Sequence, residues 1–150
     1  MRILVCLAQE PSRLSRSFQL VLNAAMQSAA EAMRGNPLPP LYKSHVQYQS
    51  EPWAGQGVEE FADPWTVYER GWGDCDDLII YRGAELIVNG YPCHAAIIHD
   101  TRNDKYHTQI HRDFGNRCFE DPCLQRLGRP VSEWLIPSYS SHLRAARSSS

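Results

Sequence analysis

The chain has no Cys-x-x-Cys pair, no strong excess of either charge and no apolar run of membrane-spanning length. Each absence removes a class of function. Cys6, Cys75, Cys93, Cys118 and Cys123 form an odd set of five without the spacing of a zinc ribbon or a redox dithiol, so reduced thiols in a cytosolic setting are expected. A formal charge of −2 and only a mildly basic stretch from Arg129 to Arg147 give no field that would gather nucleic acid. The apolar run from Ile3 to Ala8 is too short for a signal segment and has only Arg2 before it, and Val5 is not the small residue expected before a lipidated cysteine. A soluble protein is expected, with protein or small-molecule partners and no membrane. No internal repeat is present.

At 150 residues the chain is long enough to bury a core without disulfides or metal. The pattern predicts one domain over 1–137 and a polar tail over 138–150. Ile3 to Leu7 reads as a short buried strand, and apolar residues from Leu14 to Met33 recur at helical spacing until Arg34-Gly35-Asn36-Pro37. Val46 to Gln49 reads as a brief strand, and Glu59 to Phe61 and Pro64 to Glu69 as helical turns, the second opened by an Asp63-Pro64 cap. Cys93 to His99, Tyr106 to Arg112 and Arg117 to Glu120 alternate as the strands of an antiparallel meander. Leu127 to Pro130 and Trp134 to Pro137 should lie back on the body. The class expected is α+β.

The densest signal lies near the middle, in Gly71-Trp72-Gly73-Asp74-Cys75-Asp76-Asp77 followed by an apolar run to Val88. Asp74 suits an N-cap, and Asp77 stands where a carboxylate reaches back to the cap's own N–H. A helix from Cys75 to about Val88 follows, stopped by Asn89-Gly90, with the glycine suited to the left-handed position after the last turn. Cys75 then sits at the first helical position, where the helix dipole favours a thiolate. Asp74, Asp76 and Asp77 oppose that effect, so a nucleophilic Cys75 requires a cationic partner. Against this stands a plain alternative, a buried cysteine that follows a helix cap.

Among six histidines, His45 and His142 lie in segments with little framework, and His94 and His99 face opposite sides of one strand. His107 and His111 share a face of the next. Asp121 separates these two, because in a hairpin centred on Asp113 to Asn116, residues near 107 and 121 fall opposite each other if the turn carries a bulge. A thiol nucleophile needs such a base, and the base needs an acceptor to fix its tautomer.

A helix opening Gly-Asp-Cys-Asp-Asp, a Gly-Tyr-Pro break, a strand bearing His107 and then Asp121-Pro122 resembles the transglutaminase-like branch of the papain-like cysteine enzymes, as found in small single-domain phage and prophage members. The resemblance covers about Leu38 to Pro122. It implies a papain-like fold, with a central helix that starts at the nucleophile and packs on an antiparallel sheet. Carried over residue by residue, it makes Cys75 the nucleophile, His107 the base and Asp121 the orienter, with no cofactor or metal. The chain departs from the family pattern after its histidine, where Thr108-Gln109 lacks the usual Trp, and after Asp121-Pro122, where Cys123 replaces Thr.

The resemblance implies a cysteine hydrolase of peptide or isopeptide bonds working through a thioester, in the cytoplasm of a bacterial host or on a virion. Acyl transfer to an amine, which would cross-link proteins, uses the same thioester. The expected partner is a protein or peptide substrate, with phage virion components as the alternative. The Cys75 N–H is expected to donate to the oxyanion, helped by Trp72 or Trp65, and loops at 51–56 and 100–105 to set specificity. A phage structural or assembly protein that uses the fold as a binding module is the competing reading. Zinc held by Cys75, His107 and His111, or by Cys118 and Cys123, is a weaker one.

Overall fold

The computed structural model describes residues 2–6, 11–50, 58–100 and 105–138. In chain order the elements are β1 (Arg2–Cys6), α1 (Pro11–Gly35), a 3-10 turn (Leu41–Lys43), β2 (Gln47–Tyr48), β3 (Val58–Ala62), α2 (Pro64–Arg70) and β4 (Trp72–Gly73). The second half holds α3 (Cys75–Val88), β5 (Cys93–Asp100), β6 (Lys105–Arg112), β7 (Cys118–Glu120), α4 (Pro122–Arg126), α5 (Val131–Trp134) and β8 (Leu135–Pro137). The class is α+β. Its largest sheet is antiparallel, in the order β5-β6-β7-β8.

α3 is the hub, between α1 on one side and the sheet on the other. From α1 the helical period buries Phe18, Leu22, Met26, Ala29, Ala30 and Met33, which meet Ile79, Ile80 and Ala84 of α3 and Ala95 and Ile110 of the sheet. Gly83 lets the helices approach closely, since a Cβ there would run into the Met26 side chain. α1 also closes the open edge of β5: Gln19 Nε2 donates to Ala95 O at 3.0 Å, and Asn23 Oδ1 accepts from Ala95 N at 2.8 Å. Backbone groups at a sheet edge otherwise invite pairing with another chain.

A smaller core of Leu41, Val46, Ala62, Val67, Leu78, Tyr81 and Cys123 lies toward the start of α3. Arg126 of α4 ties it down by donating to the carbonyls of Tyr42, Ser44 and Val46. These carbonyls belong to irregular backbone and need such a donor.

Two local expectations change. Glu59 to Phe61 is not a helical turn but part of β3, which pairs antiparallel with β1 in a register that sets Ile3 beside Phe61. A partner so distant in sequence overrides a weak local preference. Leu135–Pro137 does more than lie on the body, because it adds β8 to the sheet edge with Phe119 opposite Ile136. The tail from residue 139, the loop at 51–56 and residues 101–104 of the second loop lie outside the described residues.

Candidate functional site

The stretch before α3 is built as its side chains require. Gly71 ends α2 at φ 85°, a conformation that suits glycine. Trp72 and Gly73 then pair in parallel with Gln47 and Tyr48. Gly73 has no room for a side chain, since a Cβ there would lie 2.9 Å from Asp77 Cβ and 3.3 Å from Leu78 and Val67. Asp74 Oδ1 accepts from the N–H groups of Asp76 and Asp77, each at 3.1 Å, and Asp77 Oδ2 accepts from Asp74 N at 3.3 Å. The reciprocal cap expected from the sequence is present.

Asp77 does more than cap. Its Oδ1 accepts from Ala62 N at 2.8 Å and its Oδ2 from Arg70 Nη2 at 2.8 Å, so it joins β3, α2 and α3. Burial, then the Asp74 carboxylate, push it up to about 8 against the pull of the Ala62 N–H and the Arg70 charge. Asp76 turns to the sheet, where Thr108 Oγ1 donates to its Oδ1 at 3.0 Å.

Cys75 follows this company. Its Sγ donates to Asp76 Oδ1 at 3.7 Å, and it packs beside the core that contains Cys123. Burial first, then the charges of Asp76, Cys123 and Asp74, push the thiol well above its ordinary value, with the Thr108 hydroxyl pulling the other way. The helix start does not lower it. Burial likewise raises Cys93, to about 12, and also raises Cys118 and Cys123, so acidity does not single out Cys75 among the described thiols.

His107 and Asp121 are brought together. His107 Nε2 lies 2.6 Å from Asp121 Oδ2, and Gln109 Nε2 donates to the same oxygen at 3.1 Å. Burial pushes Asp121 up, but the His107 bond and charge, the Gln109 donor and the Leu124 N–H outweigh it and hold the carboxyl below its ordinary value. His107 is 40% exposed and Asp121 only 2%. The register differs from the one that led to this pair. Phe119 stands opposite His111, so by continuation Asp121 falls opposite Gln109, and it reaches His107 on the diagonal.

The structure does not join this pair to the thiol. Thr108 meets α3 through Asp76 and Ile110 lies in the core, so alternation along β6 turns His107, Gln109 and His111 to the other face. No hydrogen bond links Cys75 to His107 among the described residues. Of the oxyanion donors considered, Trp65 gives its indole N–H to Asn36 O at 3.1 Å, and Trp72 lies under the Arg70 guanidinium, 3.7 Å from its ring centroid.

Three features were missed by sequence reasoning. Thr108 was detectable, because a strand that presents His107 on one face presents residue 108 on the other. Gln109 required the true register. Glu120 is fully buried and holds Arg82 Nε at 2.7 Å, Arg112 Nε at 2.6 Å and the Tyr42 hydroxyl. Nothing local announces that such distant groups converge. His111 Nδ1 lies 3.0 Å from Asp113 Oδ1, and among the described residues Cys75 and His107 do not come within metal-ligand reach of it, so the zinc set of these three is not assembled.

No known family, curated protein or solved structure matches the chain. Among the described residues, no helix is long and apolar enough to cross a membrane.

Proposed function

We propose that the protein is a cysteine hydrolase of the transglutaminase-like type, acting on peptide or isopeptide bonds, with Cys75 as nucleophile, His107 as base and Asp121 as orienter. The observation that carries this reading is the 2.6 Å contact between His107 Nε2 and the buried Asp121 carboxylate. A carboxylate on Nε2 leaves Nδ1 to take a proton and stabilises the imidazolium that results. Cys75 heads a 14-residue helix, and Asp74 takes the N–H groups of Asp76 and Asp77, leaving the Cys75 N–H for an oxyanion. In the resting arrangement the thiol is protonated and leans on Asp76. Catalysis then requires the thiol to leave Asp76 and a rearrangement on substrate binding to bring it to His107, which lies on the opposite face of β6. As sulfur attacks, His107 takes the thiol proton and returns it to the amine, which leaves as the C–N bond breaks and the acyl group is held as a thioester. Water or a second amine then displaces the sulfur, giving the acid or a new amide and returning the thiol.

A binding module with an idle thiol is favoured by one observation: every feature around Cys75 has a structural role, and the sulfur's partners are Asp76 and Thr108 rather than a cation. A peptidyl vinyl sulfone of mixed sequence, which reports activated thiols, separates the readings by mass mapping. The hydrolase reading expects an adduct on Cys75 that disappears in His107→Ala and persists in His111→Ala. Equal labelling of Cys75 with and without His107, or no labelling, sinks it in favour of the binding module.

A further inference from the structure

The other face of the large sheet carries a second polar cluster, away from the start of α3. His94 stands directly opposite His111 in the β5–β6 ladder, so both side chains leave the same face. Asp113 is two residues beyond His111, the spacing that returns a strand to that face. The Asp113 N–H donates to Pro92 O at 2.9 Å, which fixes the backbone where the chain leaves β6. The three side chains converge. His94 Nδ1 is 2.7 Å from Asp113 Oδ2, His111 Nδ1 is 3.0 Å from Asp113 Oδ1, and the imidazole centroids are 4.9 Å apart at 33°.

We propose that His94, His111 and Asp113 form a binding site for one divalent transition-metal ion, with zinc the best match to the donor set. Two imidazole nitrogens and one carboxylate oxygen are a common set for zinc with an open position, and the single anion balances half of its charge. The three donor atoms lie within 4.8 Å of one another. Two ligands on a tetrahedral zinc lie about 3.3 Å apart, so the ion enters by taking the place of the hydrogen bonds between the imidazoles and the carboxylate, with shifts of side chains only.

The surroundings suit this role. His111 is held on one side by the edge-on Phe119 ring, 4.9 Å away, and is 14% exposed. His94 and Asp113 are 42% and 32% exposed, which leaves an approach for the ion and room for water on the remaining positions. Arg112, between His111 and Asp113 in sequence, leaves the opposite face of the sheet, where it donates to Glu120, and directs no cation at the site. The backbone of the three ligands belongs to a paired ladder and its hydrogen-bonded exit, so little ordering is required on binding.

The test is calorimetric titration of the chelator-treated full-length protein with Zn(II) alone, repeated with Co(II) to read coordination from its visible absorption. The wild type is expected to bind one equivalent. His94→Ala, at a half-exposed position, should weaken binding by roughly two orders of magnitude and remove the cobalt spectrum while leaving the thermal melt of the metal-free protein within a few degrees of wild type. Asp113→Asn should weaken it too, while Cys75→Ala and His107→Ala should leave it unchanged. No uptake by the wild type shows that the cluster is only a hydrogen-bonded clamp and overturns the proposal. Binding that survives His94→Ala but is lost in Cys118→Ala overturns it in favour of a thiolate site.

Discussion

Asp121 Oδ2 accepts from His107 at 2.6 Å and from Gln109 at 3.1 Å, while Asp121 Oδ1 caps α4 by accepting from Leu124 N at 3.2 Å. One carboxylate thus fixes an imidazole and starts a helix. Because Pro122 follows as the first helical residue, the cap is independent of any catalytic role.

This double duty gives a pH signature. The Asp121 carboxyl is held below its ordinary value in the folded protein. A group depressed in this way adds stability above its unfolded pKa, and that stability is lost as pH falls through the folded value. Asp121→Asn keeps an acceptor for Leu124 N but removes the charge facing His107. It should cost about 1–2 kcal/mol at neutral pH, with the gap to wild type closing below about pH 4. Urea melts across pH check this, and a gap that stays constant would mean that the charge contributes nothing.

The Cys75 thiol is raised first by burial and then by Asp76. Asp76→Asn leaves an acceptor for Thr108 while deleting the nearest negative charge, so the alkylation curve of Cys75 should move to lower pH. Iodoacetamide kinetics with mass mapping measure it. An unmoved curve would assign the shift to burial alone.

Asp77 and Cys75 should separate in stability. Asp77→Ala removes the reciprocal cap, the Ala62 tether and the Arg70 partner together, and should cost about 2–4 kcal/mol. Cys75 is partly exposed, and Cys75→Ala should cost less than about 1 kcal/mol. Thermal melts in which Cys75→Ala is the weaker protein would mean that the thiol is a core residue.

Glu120 is the buried anion that two arginines and a tyrosine share. Glu120→Ala strands Arg112 without its counter-charge and leaves Arg82 with Glu85 alone, and should cost about 3–5 kcal/mol, with Glu120→Gln falling between it and wild type. Denaturant unfolding gives the order. A neutral Glu120→Ala would show that the arginines find solvent.

The reciprocal cap at Asp74 and Asp77, the stop at Gly90 and the strand limits around Cys93 and Arg112 were legible in the sequence, because each depends on residues within a few positions of one another. The pairing of His107 with Asp121 was also reached, though through a register that the ladder replaces. What the tertiary structure decided is which face each side chain takes and what waits there. A strand repeats every two residues, so one step separates Thr108 against α3 from His107 on the other side, and no local pattern says which side the helix will cover. The same holds for β3, whose partner is β1, for Glu120 with its two arginines, and for His94 meeting His111 and Asp113. Those contacts depend on strand pairing and, for Glu120, on the packing of α3 against the sheet, and no local pattern specifies either.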